Sequence, residues 1–427
     1  MKKILSLLLV VLVLLGLVAC GGNGDDKESA AGGFQVGFGR VDVTPEGVVH
    51  MGSYNNKELS EGVMHELYSH AVVMKDAAGT VMVMVTADIS WGNNHMLGEL
   101  RPAIEQRFGF DKEHVIIGGI HNHNAPDYGA SDTNDQAWKE KFNNGVLESI
   151  QLALNDLAPA TIEVGRTETE NLTFVRRYYL SNGGMTGDNY NYDHGDKIVA
   201  HESEADEEIQ MVRFVREGDK KDILMVNWQA HAAKHGHTRY LSADFAGPMR
   251  DKLDKDLNVH SIFYQGACGN LNPVSRIAGE CVTLGTGYDN AVRHGELVAQ
   301  YVIDAWNKAG VFAPVKSGSI NVNQGKFITD DTWGETNAIT VGELSFITLP
   351  AEFFDTLGMM IKKDTPYKMT VLMGFHCGGD GRYLPDTPGF KNSGYEANNS
   401  LFRVGDGERF VEYYLDILNT MHKEENP

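Results

Sequence analysis

The sequence contains the stretch Val115-Ile116-Ile117-Gly118-Gly119-Ile120-His121-Asn122-His123-Asn124-Ala125-Pro126. Its apolar start is typical of a buried strand, and the paired glycines and Pro126 indicate that the strand passes into a loop. On an extended backbone alternate side chains point the same way, which places His121 and His123 on one side. Two such imidazoles suit a metal ion, or one ligand beside an acid or base. They are ordinary loop histidines unless other parts of the chain supply more ligands.

Strand and helix patterns alternate along the rest of the chain. Predicted strands cover 34–43, 69–75, 81–86, 115–117, 209–215, 223–228, 344–349 and 371–373, and predicted helices cover 94–108, 135–157, 245–253, 292–306, a segment from about 354, and 408–421. This mixture predicts an α/β (mixed α+β) fold. Since there is no internal repeat and no second linker, we interpret residues 34–427 as one large domain.

The first residues have the pattern of an export signal. Lys2-Lys3 precedes an apolar stretch over 4–17, and Leu17-Val18-Ala19-Cys20 resembles the site at which a bacterial cysteine is lipidated. We therefore interpret residues 1–19 as a signal peptide and 20–33 as a flexible tether lipidated at Cys20. The prediction is an exported protein of the bacterial cell envelope, held at the membrane by a lipid anchor. An ordinary signal peptide with a chance cysteine is the alternative.

Composition limits the partners. The formal net charge is -21, from 37 Lys and Arg against 58 Asp and Glu, and the basic residues form no stripe. Nucleic acid is therefore excluded as a partner. Beyond Cys20 the chain has Cys268, Cys281 and Cys377, and this odd number leaves one thiol over if two of them pair. A bridge between Cys268 and Cys281 is possible on sequence grounds.

The second half of the chain offers further ligands at predicted strand ends. His231 follows the strand at 223–228, Glu352 follows the strand at 344–349, and Tyr383 lies in a segment after 371–373. Sites in α/β proteins gather outside strand ends, and zinc accepts nitrogen and oxygen donors. His235 and His237 come shortly after His231. They are predicted to be solvated loop histidines, with a second metal site as the alternative.

Several motifs occur in a fixed order along the chain. They are Gly37-Phe38-Gly39-Arg40-Val41-Asp42-Val43-Thr44-Pro45, Ile120-His121-Asn122-His123-Asn124-Ala125-Pro126, Asn227-Trp228-Gln229-Ala230-His231, Ser242-Ala243-Asp244-Phe245-Ala246-Gly247, Pro350-Ala351-Glu352-Phe353, and Tyr383 with Tyr395-Glu396. Together they resemble the catalytic domain of the neutral, non-lysosomal ceramidases. The order is preserved over most of the predicted domain, which is more specific than any single motif.

This resemblance implies a set of site residues. It implies that one Zn²⁺ per chain is bound by His121, His231, Glu352 and Tyr383. It also implies that His123 and Tyr395 face the substrate beside the metal. An arginine that faces the substrate in the family is matched most closely by Arg176 or Arg177.

Two departures from the family pattern affect the functional prediction. Asn272 stands in Gly269-Asn270-Leu271-Asn272-Pro273, where the family has a serine with an assigned catalytic role. Asparagine cannot act as a nucleophile, although its amide can donate a hydrogen bond to an oxyanion. Cys268 is a poor replacement because it is four residues away. The chain also stops near Pro427, so the family's C-terminal immunoglobulin-like domain is expected to be absent.

The resemblance implies a zinc-dependent hydrolase that cleaves an amide bond, with a ceramide-like lipid or another N-acyl compound as substrate. The predicted route is direct attack by zinc-activated water, in which His123 is a proton shuttle or oxyanion donor and Tyr395 and Asn272 donate hydrogen bonds. One alternative is a degenerate surface lipoprotein that binds a metal or a lipid, and another is a hydrolase of different N-acyl or ester substrates. A metallophosphoesterase is the third, and it would need bridging carboxylates for two metals, for which Asp42, Asp88 and Asp244 are the candidates.

Overall fold

The computed structural model of the protein describes residues 33–53, 58–91, 94–187, 197–283, 285–316, 318–379 and 382–427. The predicted signal peptide, Cys20 and nearly all of the predicted tether lie outside the described residues. No described helix has the length and apolar character that crossing a bilayer requires.

The strands, numbered in chain order, are β1 Gln35–Asp42, β2 Gly62–Val63, β3 Tyr68–Lys75, β4 Val81–Ala87, β5 Val115–Gly119, β6 Ala158–Glu168, β7 Phe174–Val175, β8 Arg177–Leu180, β9 Met185–Gly187, β10 Ile198–His201, β11 Glu208–Arg216, β12 Ile223–Trp228, β13 Tyr240–Leu241, β14 His260–Gln265, β15 Leu271–Asn272, β16 Ala313–Val315, β17 Ile320–Ile328, β18 Trp333–Val341, β19 Leu344–Leu349, β20 Glu352–Phe353, β21 Met369–Gly374 and β22 Tyr383–Leu384. The helices are α1 Asn94–Phe108, α2 Thr133–Asn155, α3 Ala246–Leu257, α4 Tyr288–Asn307, α5 Asp355–Asp364, α6 Thr387–Lys391, α7 Tyr395–Asn398 and α8 Asp406–Glu425. The mixed α/β prediction is confirmed, and every predicted strand and helix is present within a few residues.

Two sheets pack face to face at the centre of the molecule. The larger has the order β14-β12-β11-β6-β1-β3-β4-β5, with β16 beside β6, and the smaller has the order β17-β18-β19-β21. Their facing side chains, such as Val72 and Met74 of the large sheet and Phe346 and Val371 of the small one, form one core. This burial accounts for the nearly continuous apolar runs of the inner strands.

Helices cover the outer faces of both sheets. On β3, the side chains that alternate with the central core, Ala71 and Val73, pack with α1 and α2. The outer side of β12 and β14 packs against α3 and α4, and the outer side of the small sheet packs against α5 and α8. The layers are thus helix, sheet, sheet and helix, which matches the period-two pattern of the strands.

Three β-α-β units determine where loops meet. The pairs β4 and β5, β12 and β14, and β19 and β21 are parallel, and the connections contain α1, α3 and α5 respectively. The end of β21 touches both edges of the large sheet: the Gly119 N–H donates to Phe375 O at 3.3 Å, and Gly374 lies against Gln265 of β14. Loops from all three units therefore converge at one place.

Candidate metal centre and active site

His121 and His123 lie in the loop that follows β5, where their ring nitrogens approach each other. The two Nε2 atoms are 3.1 Å apart, and both side chains are buried. The expectation of an extended backbone is wrong here, because His121 has φ +59°, in the left-handed region. This turn and the parallel stacking of the His121 ring on Phe375, with centroids 4.0 Å apart, determine its direction.

His231 follows β12 and faces the same point. Its Nδ1–H donates to Leu271 O at 2.8 Å, which leaves the Nε2 lone pair directed toward the site, 3.1 Å from Glu352 Oε2. Burial, together with the nearby Arg176 cation, lowers the pKa of His231 to about 4. Burial and the neighbouring His121 also place the pKa of His123 well below its usual value. Both imidazoles are neutral at pH 7 and can act as ligands.

Glu352 brings a carboxylate to these histidines. Its Oε2 is 3.4 Å from His121 Nε2, so one oxygen is close to two imidazoles. Although burial opposes ionisation, His121 and His231 hold the pKa of Glu352 well below its usual value. Gly269 allows the backbone to come close, because a Cβ there would lie 2.3 Å from Glu352 O.

Two short ladders connect the remaining predicted residues to this point. The first pairs β20 with β22, in register at Glu352 and Tyr383. The second pairs β15 with β7, which brings Asn272 beside the chain that leads to Arg176. Tyr383 is buried, and burial together with the Glu352 charge raises its pKa well above the usual value. The tyrosine is therefore a phenol in the described arrangement.

Arg176 spans the site with its guanidinium group. Its Nη2 donates to Tyr383 OH at 3.1 Å and to Gly269 O at 3.0 Å. Its Nη1 is 3.3 Å from Asn272 Oδ1 and 3.4 Å from His231 Nε2. The amide Nδ2 of Asn272 is buried and has no hydrogen-bond partner among the residues that the structure describes. The site thus offers one fixed cation and one unpaired amide donor beside the imidazoles.

Arg177 and Tyr395 occupy different positions relative to the site. Arg177 is buried, and its guanidinium donates hydrogen bonds to Glu202, Glu396 and Gly389 O. Among the described interactions, it makes no hydrogen bond to His121, His123 or His231. Tyr395 is partly exposed and packs edge-on against Tyr383, with ring centroids 5.6 Å apart. It lies at the outer rim, on the solvent side of Tyr383.

The donor set fits a metal ion. Ligand atoms of His121, His123 and His231 lie within 4.8 Å of one another, and Glu352 contacts two of these histidines. Nitrogen and carboxylate donors in a buried cluster suit zinc, and a hydrogen bond from the second ring nitrogen, as at His231, is the usual support for such a ligand. The cluster includes His123 beside the four predicted ligands, so any of three imidazoles is placed to bind.

Other residues singled out in the sequence lie elsewhere. His235 is buried, 2.8 Å from Ser242 Oγ, and burial lowers its pKa to about 4, so the prediction that it is solvated is wrong. His237 is exposed, as predicted. The carboxylate candidates for a two-metal site are occupied: Asp88 binds Arg250, Asp244 accepts three backbone N–H groups, and Asp42 accepts the Thr44 N–H. Among the described residues, none of these three carboxylates joins the histidine cluster.

The cysteines also give a clear result. In the described part of the chain, Cys268, Cys281 and Cys377 are free thiols, so the possible bridge between Cys268 and Cys281 is not formed. Burial raises the pKa of Cys268 far above its usual value, and nearby Glu352 raises it further. A buried, protonated thiol is a poor nucleophile.

Sequence reasoning assigned no role to two residues of this region. Phe375, directly after β21, supports His121, and its only signal was its place at a strand end. Glu396 joins Arg176 to Arg177 and is fully buried, and its only signal was its position beside Tyr395. Neither position follows a periodic pattern that predicts contact with the site.

Comparisons with known proteins identify a family for the chain. The sequence profile described as "Neutral/alkaline non-lysosomal ceramidase, N-terminal" matches residues 34–267. Neutral ceramidase of Drosophila melanogaster is 25% identical over 248 residues, which are 54% of this chain and 33% of that protein. Neutral ceramidase of Oryza sativa subsp. japonica is 24% identical over 227 residues, 50% of this chain and 27% of that protein. The matches thus span about a third or less of these relatives.

A solved structure shares the fold. The crystal structure of neutral ceramidase from Pseudomonas aeruginosa superposes with a TM-score of 0.74 and 15% sequence identity, over 92% of this chain and 75% of that one. A ceramidase complexed with C2 gives a TM-score of 0.75 and 14% identity, with the same coverage. At this identity the likeness shows the fold alone.

Proposed function

The chain belongs to the neutral/alkaline non-lysosomal ceramidase family, and on this premise we propose that it is a metal-dependent hydrolase that cleaves the amide bond of a ceramide-like lipid. The observation that carries the proposal is the convergence of His121 and His123, from the loop after β5, with His231 after β12 and Glu352 after β19. Buried imidazoles with depressed pKa values, grouped with a carboxylate, are the usual mark of a metal centre.

The donor types favour Zn²⁺ as the metal, held by His121, His231, Glu352 and Tyr383. Such an ion supplies a Lewis acid that polarises a carbonyl group and makes water a nucleophile at neutral pH. Because His123 lies beside these ligands and is neutral at pH 7, its imidazole is placed to accept the proton of the attacking water and then deliver it to the leaving amine nitrogen.

Three further side chains act on the substrate. The Asn272 Nδ2–H and the Arg176 guanidinium stabilise the negative charge that develops on the amide oxygen. Tyr395, at the outer rim, orients the head group. The C–N bond breaks to give a fatty acid and an amine. Asn272 has no nucleophilic atom and Cys268 is buried and protonated, so water attacks directly and no acyl-enzyme forms.

The test is hydrolysis by the zinc-loaded protein. Purified protein is incubated with ceramides and with other N-acyl amides, and free fatty acid is measured by mass spectrometry, with His121→Ala as the blank. Release of fatty acid from ceramide by the parent and not by the variant supports the proposal. Release from other N-acyl amides or esters alone assigns a different substrate, and a zinc-loaded parent that cleaves nothing overturns the enzyme assignment.

Asn272 favours a second candidate, a protein that binds a metal or lipid without turnover. This candidate is supported if the protein binds zinc and binds ceramide with measurable affinity but releases no fatty acid.

We also propose, from the sequence at residues 1–33, that the protein is exported and lipidated at Cys20. Mass spectrometry of the mature N-terminus tests this, because an unmodified Cys20 contradicts it.

A further inference from the structure

Glu396 is a fully buried carboxylate placed between two buried arginines. Its Oε1 accepts a hydrogen bond from Arg176 Nε at 2.8 Å, and its Oε2 accepts one from Arg177 Nη1 at 3.0 Å. A buried charge needs partners, and here each oxygen has its own guanidinium group. Because one carboxylate serves both arginines, its loss leaves two buried cations with less compensation.

The two arginines differ in what their other nitrogens contact. Arg176 directs Nη1 to Asn272 and His231 and Nη2 to Tyr383, so its cation touches two candidate metal ligands. Arg177 directs its remaining donors to Glu202 and Gly389 O, away from the histidines. Glu396 is therefore connected to the candidate metal centre through Arg176.

A cation in this position has two opposite effects. It binds an oxyanion of the substrate well, but it repels a metal ion held by the same ligands. A carboxylate on the Nε side reduces this repulsion and fixes the plane of the guanidinium, because Nε and the two Nη atoms share one rigid plane. Glu396 meets both needs, since it neutralises Arg176 from behind and leaves both Nη atoms facing the site.

We infer that Glu396 is a positioning residue, which orients and neutralises Arg176 so that its guanidinium serves the substrate without weakening the metal centre. The catalytic part of this inference rests on the proposed hydrolase function. The metal-binding part does not, because zinc affinity is measured without turnover. Tyr395 precedes Glu396 in α7, so the same anchor also holds the rim of the site.

The chain provides a matched control. Glu202 is also a nearly buried carboxylate paired with Arg177, but it makes no contact with Arg176 among the described interactions. Glu396→Gln and Glu202→Gln each remove one negative charge from the same network and differ in whether Arg176 loses its partner. Zinc affinity of each variant is measured by competition with a chromophoric chelator, and thermal unfolding is recorded in parallel.

We expect E396Q to lose zinc affinity about 10- to 100-fold, as for other residues that support metal ligands, and E202Q to keep the parent affinity. In an Arg176→Met background, E396Q is expected to cause no further loss, because it acts through Arg176. In amide hydrolysis E396Q lowers kcat more than it raises KM, and E396D, which keeps the charge, restores part of kcat. If E396Q does not fold, E396D and R176K are compared with the parent instead. Both variants keep the charge, so we expect kcat to fall and zinc affinity to be retained.

The outcomes separate this inference from the proposed function. Equal zinc affinity for E396Q and the parent overturns the inference, as does a loss that is equally large in the R176M background. If the parent hydrolyses no amide but E396Q still loses zinc affinity, the hydrolase proposal fails and the positioning role stands. If the parent is active and E396Q matches it in zinc affinity and kcat, the hydrolase proposal stands and the positioning role fails.

Discussion

Asn272 is the residue at which the proposed hydrolysis is tested most directly. Within the described part of the chain its Nδ2 is buried without a hydrogen-bond partner. A buried unpaired donor costs free energy, which a bond to an oxyanion recovers in the transition state. We expect Asn272→Ala to lower kcat for amide hydrolysis by about 10²- to 10³-fold, with little change in KM. Steady-state kinetics with fatty acid detection measure this. A folded N272A protein with the parent kcat rules out the amide as an oxyanion donor.

The three free thiols differ in reactivity because they differ in burial. Burial raises the pKa of both Cys268 and Cys377 far above the usual value, whereas Cys281 is partly exposed. We expect iodoacetamide to alkylate Cys281 in the native protein and to reach the other two only after unfolding. Peptide mass spectrometry identifies each modified site. Protection of both Cys268 and Cys281 until a reductant is added indicates a disulfide and contradicts the structure.

At the scale of elements, the approach of the loop after β14 to β20 depends on Gly269. A Cβ at this position lies 2.3 Å from Glu352 O, and both backbones are fixed by the bond from the Gly269 N–H to Phe353 O. We expect Gly269→Ala to lower the free energy of unfolding by about 1–3 kcal/mol, as overpacking does, and to weaken zinc binding by displacing Glu352. Urea unfolding and zinc titration measure the two effects.

Gly98 provides the control for this substitution. It lies inside α1, and a Cβ there has nothing within 4 Å. Alanine replaces glycine in a helix interior with a gain of about 1 kcal/mol. Gly98→Ala should therefore stabilise the protein and leave zinc binding unchanged. Similar losses of zinc affinity in both variants show that the close approach at Gly269 does not position Glu352.

An ion pair links α3 to the segment before β3 and makes stability depend on pH. His65 Nε2 is 2.9 Å from Asp251 Oδ2. Burial lowers the pKa of His65, but the bond to Asp251, the bond to Glu66 O and the Asp251 charge together outweigh it and raise the pKa above 6.5. Burial raises the pKa of Asp251, but the bond to His65 together with the charges of His65, Arg250 and Arg40 outweighs it and lowers the pKa below 3.8. The stabilisation is thus complete between these ordinary values and is lost at higher pH as His65 deprotonates, and at lower pH as Asp251 protonates.

Replacing Asp251 tests this dependence. Because Asp251 is largely exposed and screened by solvent, we expect Asp251→Asn to lower the free energy of unfolding by about 0.5–1 kcal/mol near pH 5 and by less near pH 9. Asp256→Asn in the same helix removes an exposed partner of Lys252 and should show no such difference between the two pH values. Urea unfolding at both pH values decides the matter, and an equal loss for D251N at both contradicts the ion pair.

At the scale of the molecule, the candidate metal centre joins ends of several layers. Zinc at about 100 times its dissociation constant stabilises the native state by about 2.7 kcal/mol, so a chelator should lower the melting temperature of the zinc-loaded protein. We expect His231→Ala to abolish this response. His114→Ala, which alters a separate group of exposed acidic residues, should keep it. If H114A loses the response and H231A keeps it, the metal binds at the group that contains His114 and not at the histidine cluster.

The sequence predicts the inner strands well and the outer ones poorly. Strands such as β12 are buried on both faces, so their apolar runs stand out, whereas β17 carries Asn323 and Gln324 on an exposed edge and resembles a loop. The family resemblance led to His121, His231, Glu352 and Tyr383, which the structure brings together. Choosing between Arg176 and Arg177 needed the tertiary structure, because adjacent side chains point to opposite sides and only contacts decide which side is the site.

The candidate ligands come from positions spread between His121 and Tyr383, and within this set His121 and His123 alone share a loop. No short segment contains more than two of them. A partly synthesised chain therefore lacks a high-affinity site, and so does a folding intermediate in which one sheet is still incomplete. If the proposed metal binds here, its capture follows the assembly of both sheets and is among the last steps in the maturation of the protein.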